Sequence, residues 1–168
     1  MEGNGIRISI IGILLAVYLV MGCPLFLHHD CGYVALVHHF FHVNILHLAV
    51  NGLSLWTLFR KGFRYPLSHL VWAFAIASAS WFCSSADAVG FSNFIFALIG
   101  LRTPSVRDGW WRQSSVVVFL SVTLLMALLP QVSAITHIVS FILGCLAAGA
   151  GRIINSISSD LSRASYNQ

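Results

Sequence analysis

Charge is what this sequence has least of. Of its 168 residues, 8% are Asp, Glu, Lys or Arg, where soluble domains carry about 25%. Hydrophobic residues make up 58%, and the mean hydropathy is +0.85. No soluble core of this length needs so much apolar surface, which excludes an ordinary soluble globular domain. Acid is scarcest of all. One Glu and four Asp are present, and all fall in expected loops or tails. A small transporter or proton relay ordinarily carries a carboxylate within a span, so that class finds no support. Internal repeats, low-complexity tracts and a second domain are also lacking.

What is there is a series of apolar runs. A spanning helix takes about 20 apolar residues, so six would use ~120 and leave short loops. Periodicity and punctuation place them at 8–27, 44–59, 67–83, 92–101, 115–129 and 134–153. The first run is too long for a typical signal-peptide core, and "MGCP" is a poor cleavage site, so a retained helix is expected. The expected fold is an all-α membrane protein, a six-helix bundle over 1–153. A polar tail, 154–168, is expected to fray.

Basic residues set the expected orientation. Arg7 precedes the first run; Arg60, Lys61 and Arg64 follow the second; Arg102, Arg107 and Arg112 follow the fourth; Arg152 and Arg163 follow the sixth. The other three loops hold no Lys or Arg. By the positive-inside rule both termini face the cytoplasm. The sequence pI near 9.2 is then a topology signal, with membrane lipids and not nucleic acid as the partner.

Cys23, Cys31 and Cys83 lie near the expected outer face. Cys23 and Cys31 could be bridged in an oxidising compartment, or could pack as free thiols. The eight histidines do not suggest a metal or haem site. Metal ligation needs a convergent set, and adjacent histidines point apart on a regular backbone. No cofactor is expected.

Polarity inside the apolar runs is the informative exception, because it is expensive in a bilayer. "HHFFHVNILHLAVN", residues 38–51, holds four histidines and two asparagines. His47 and Asn51 in it share one helix face. Ser92 sits in "GFSNFIFALIG", and His137 in "THIVSFILG". Counting back to the nearest following basic residue at 1.5 Å per residue puts Asn51 at ~14 Å, Ser92 at ~15 Å, His47 at ~20 Å and His137 at ~22 Å. All lie from the midplane of a ~30 Å core outward, on three helices, so they can meet. The fourth run is only half long enough to cross, and the chain before Ser92 must enter as non-helical backbone around a cavity.

At these residues the sequence resembles the rhomboid intramembrane serine proteases. His38, His42, His47 and Asn51 stand at the spacing of the family's second-helix pattern. "GFSNFIFALIG" is similar to G-x-S-G-x-x-x-A-L-x-G, which Gly90, Ser92 and Gly100 match. "THIVSFILG" is similar to A-H-x-x-G-x-x-x-G, which His137 and Gly144 match. The resemblance covers the second to sixth runs, in family order, and implies a rhomboid-like bundle with a short central fourth helix.

It also implies a Ser92–His137 dyad, without a third acidic member, that cleaves single-pass transmembrane protein substrates near the outer membrane face. Asn51, His47 and the Ser92 backbone N–H would hold the oxyanion. Gly90, Asn93, Phe96, Gly100, Ser140 and Gly144 would support the site. Ser140 and Gly144 would let the sixth helix approach the fourth. His38 and His42 are expected to bond loop to helix, while His28, His29, His39 and His69 take interfacial or solvated positions. The implied location is a bacterial inner membrane.

Four departures from the pattern stand out. Asn93 replaces a usual Gly, Phe96 a usual Tyr and Ser140 a usual Gly, and the first loop lacks the Trp-Arg pair. A catalytically weak or inactive rhomboid-like binding or chaperone module is the alternative.

Overall fold

The computed structural model describes residues 3–21, 33–59, 66–83, 89–103, 113, 117–118, 121–122 and 133–166. In these the chain is helical, with no strand. The elements are α1 (Gly3–Met21), α2 (Val34–Val37), a 3₁₀ turn (His38–Phe40), α3 (Ile45–Leu58), α4 (Leu67–Trp81), α5 (Ser92–Arg102) and α6 (Ala134–Tyr166). The expected fifth run, the two cysteines of the first loop, and His28 and His29 lie largely or wholly outside the described residues.

The centre of the fold is α5. Every residue from Ser92 to Leu101 is buried, so this helix has no outer face, consistent with its apolar composition on all sides. It packs chiefly against α6 and next against α4. Two glycines set the α5–α6 distance. A Cβ on Gly144 would stand 2.5 Å from the Ala97 carbonyl oxygen and 2.8 Å from the Leu101 nitrogen, and one on Gly100 would strike the Phe141 carbonyl oxygen. Only backbone without side chains fits there, as small residues allow in membrane helix pairs.

The expected span count is six. By length and apolarity together the described residues supply one helix long enough to cross a membrane, 134–159, or two if Val34–Phe40 and Ile45–Leu58, bent by 87°, form one span. α4 and α5 are apolar but short, 15 and 11 residues, or ~22 and ~16 Å of rise.

Two further expectations are corrected. The tail beyond residue 153 continues α6 to Tyr166. No Pro or Gly follows Gly151, apolar residues recur at 153, 154, 157 and 161, and Ser159 and Ser162 donate to carbonyls one turn back. That is an amphipathic helical pattern. His39, in the histidine-rich segment, is the other correction. Val34, Ala35, His38, His39 and His42 are all buried, with Val34 and Ala35 packed against Trp81 of α4. His39, expected at an interface, is fully buried and lies 3.0 Å from the Ser78 hydroxyl. Nor do the paired histidines point apart. The tight 3₁₀ geometry brings the His38 and His39 ring centroids to 3.8 Å.

Candidate active site

The site begins with a backbone requirement. Gly90 has φ +128°, a conformation that favours glycine. A Cβ there would stand 2.5 Å from His47 Cε1 and 3.4 Å from Asn51 Nδ2. The chain entering α5 therefore lies directly over the two polar residues of α3. The Gly90 N–H donates to the His38 carbonyl at 3.0 Å, and two residues later the helix starts at Ser92.

Ser92 is thus at an N-terminus whose N–H groups have no helical partner, and it is nearly buried. Its hydroxyl is 2.7 Å from His137 Nε2 of α6, across 45 residues of sequence. That is hydrogen-bond distance for an O–H donor and within reach for proton transfer to an imidazole. Phe96, one turn after Ser92 on the same face, stacks on the His137 ring at 4.8 Å with 19° between planes. His137 Nδ1 meets no partner among the described residues.

α3 contributes the second wall. Asn44 caps this helix, its side-chain oxygen accepting from the His47 N–H at 2.9 Å, a favoured N-cap arrangement. The cap fixes which face His47 and Asn51 present. Both are fully buried, and the side-chain polar atoms of both lack a hydrogen-bond partner among the described residues. His42 lies edge-on to His47 at 5.1 Å, its two ring nitrogens likewise unpartnered. Buried polar groups are almost always satisfied, so so many unpartnered groups in one place mark a site built to receive polar atoms.

His38 and Asn93 sit to one side. His38 Nδ1 donates to the Val34 and Ala35 carbonyls at 3.2 and 3.0 Å. Carbonyls only accept, so the proton is on Nδ1 and Nε2 is left as an acceptor. The Asn93 amide nitrogen lies 3.5 Å from it, at the long limit for a hydrogen bond. His38 therefore holds the chain on both sides of Ser92, at Gly90 and at Asn93.

Of the residues singled out in the sequence, Gly90, Ser92, Asn93, Phe96, His137, His38, His42, His47 and Asn51 gather here. Gly100 and Gly144 form the α5–α6 crossing. Ser140, expected to help α6 approach α5, also reaches α4. Its hydroxyl donates to Ser80 of α4 at 2.6 Å. Sequence reasoning missed Ser80 and Ser78, although "ASASW" puts two hydroxyls in an apolar helix, a signal for interhelical hydrogen bonds. Among the described residues no trio of His, Cys, Asp or Glu is arranged to hold a metal.

Residues 32–152 match the family model of the rhomboid domain. No curated protein and no solved structure matches the chain.

Proposed function

The chain belongs to the rhomboid family of membrane proteins, and from that premise we propose that it is an intramembrane serine endopeptidase acting through Ser92 and His137. The observation that carries the reading is the 2.7 Å approach of the Ser92 hydroxyl to His137 Nε2 at the mouth of a buried helix.

The chemistry follows from these atoms. Ser92 Oγ attacks the scissile carbonyl carbon while its proton passes to His137 Nε2. The carbonyl oxygen becomes an oxyanion. The donors nearest the entry to α5 are the Asn51 amide, the His47 ring and the Ser92 backbone N–H, and preorganised donors of this kind stabilise such charge. As the C–N bond breaks, His137 returns the proton to the leaving amine. Water then attacks the acyl-enzyme, giving its proton to the same nitrogen, and Ser92 is regenerated as the carboxylic product departs. No carboxylate takes part, and the Phe96 ring supports the imidazole instead.

Substrates on this reading are single-pass transmembrane proteins cleaved near the outer membrane face. The chain resides in a bacterial inner membrane, among its lipids, with both termini cytoplasmic; the distribution of Arg and Lys supports that orientation. The second reading, a weak or inactive binding module, draws on Asn93, whose side chain fills buried space beside the nucleophile. Cleavage of a transmembrane substrate by purified protein separates the two. Wild type should cleave, and Ser92→Ala and His137→Ala should each abolish cleavage while remaining folded. Because nucleophile and base act as a unit, the double variant should be no worse than either single. A wild-type protein that binds substrate without cutting it would favour the second reading.

A further inference from the structure

Among the described residues the base proposed above has no polar partner behind it. His137 Nδ1 meets none of them, and none of them locks the ring's orientation as in an acid-assisted triad. The Phe96 ring covers one face of the imidazole. Beyond that, Nε2 sits wherever α6 carries it. At the Gly100–Gly144 crossing α6 meets α5, two turns along from His137. A single close crossing fixes how near two helices come. It leaves each helix able to roll about its own axis, and a small roll displaces a ring that projects from the helix surface.

A second contact restrains that roll. Ser140 follows His137 by three residues and shares its face. Its hydroxyl donates to Ser80 Oγ of α4 at 2.6 Å, and Ser80 Oγ in turn donates to the Ala77 carbonyl at 2.8 Å. Both serines are fully buried. The direction of the chain is fixed, because a carbonyl can only accept. Ser80 spends its one proton on Ala77, and only its lone pairs remain to meet Ser140. Rolling α6 would take the buried Ser140 hydroxyl away from its acceptor, which is costly away from water. We propose that the Ser140–Ser80 pair is a positioning device for His137, tying α6 to α4 one turn from the ring and so holding Nε2 against Ser92. This rests on the reading of His137 as the base. The serines themselves touch no reacting atom.

The test is steady-state cleavage of a transmembrane substrate by the full chain in lipid vesicles. Variants are Ser140→Ala, Ser80→Ala, the double, and the matched pair Ser80→Thr and Ser80→Val, which share a shape and differ by a hydroxyl. A displaced base should lower kcat about tenfold in each alanine variant, since errors near 1 Å cost up to about a hundredfold. KM should stay within about twofold, because the substrate contacts are untouched. The double should fall no further than the singles, as expected for two ends of one interaction. Ser80→Thr should exceed Ser80→Val in kcat by about fivefold or more. If the alanine variants do not fold, the Thr and Val pair decides. Additive losses, a loss expressed in KM alone, or equal kcat for Thr and Val would overturn the proposal. Cleavage surviving in His137→Ala, run beside them, would show that the base itself was misidentified, and the proposal would fall with it.

Discussion

Asn51 is the residue whose surroundings most need a function. It is fully buried, its amide oxygen and nitrogen are both unpartnered among the described residues, and Gly90 brings the nucleophile's own chain over it. An amide kept in that state is costly unless something polar arrives. As an oxyanion donor, Asn51→Ala should lower kcat roughly 10- to 1000-fold, the scale of losing one such donor. Covalent labelling of Ser92 should weaken without vanishing. Turnover equal to wild type would assign Asn51 to helix packing. Asn93 is a different case. Its bulk is accommodated because His38, with its proton committed to α2 carbonyls, offers Nε2 to the amide. It therefore stands as part of the frame around Ser92.

Among the elements, legibility followed the range of the interaction. α3 and α5 begin within a residue of where apolar period and punctuation put them, because both helix starts are written locally. Asn44 caps one, and Gly90 turns the chain into the other. A close approach of α6 to α5 was expected at Ser140 and Gly144, while Gly100, which meets Gly144 there, stood in the sequence only as part of a motif. The segment 34–42 was legible only in part. Its His39 read as interfacial or solvated because polarity in a loop usually is, and among the described residues the distant Trp81, Phe74 and Ser78 of α4 make the segment an interior. Ser140 likewise looked like a small residue facing α5, and the hydrogen bond it also makes to Ser80 of α4, 60 residues away, was not foreseen. Local pattern carries no information on such a pairing. The tail misled in the opposite sense, since its serines suggested fraying while its isoleucines kept helical period.

The α5–α6 crossing also yields the sharpest prediction at this scale. Gly144→Ala would press a methyl carbon onto the backbone of Ala97, Leu101 and Gly100, atoms that cannot move aside as a flexible side chain would. Overpacking of this kind costs ~1–3 kcal/mol. The helices must separate, so both thermal stability and activity should fall, read by unfolding midpoint and cleavage rate together. Loss of neither would mean that the helices do not cross this closely in the membrane.

For the whole molecule, the family is established by the match over residues 32–152, and the all-helical fold agrees with it. The order of the family's motifs was readable because each is a short local string of residues. How many helices cross was less so, since α4 and α5 are shorter than a bilayer core and their crossing depends on what surrounds them. The distribution of basic residues nonetheless makes a definite claim about topology. Reporter fusions after Phe63 and after Gln168 should both read cytoplasmic, and one near Asp87 external. An external C-terminus would overturn the even span count, and with it the depths that bring Ser92, His137 and Asn51 to one level.

All of this converges on one oxygen atom. A serine-reactive fluorophosphonate reports directly whether Ser92 is a nucleophile, without a known substrate. Incubated with the purified protein and read by intact mass, it should add one label to wild type, located on Ser92 by peptide mapping. Ser92→Ala should take none, and His137→Ala should label far more slowly because the proton has nowhere to go. Wild-type protein that stays unlabelled while folded, or a Ser92→Ala protein labelled as fast as wild type, would contradict the assignment of Ser92 as an activated nucleophile.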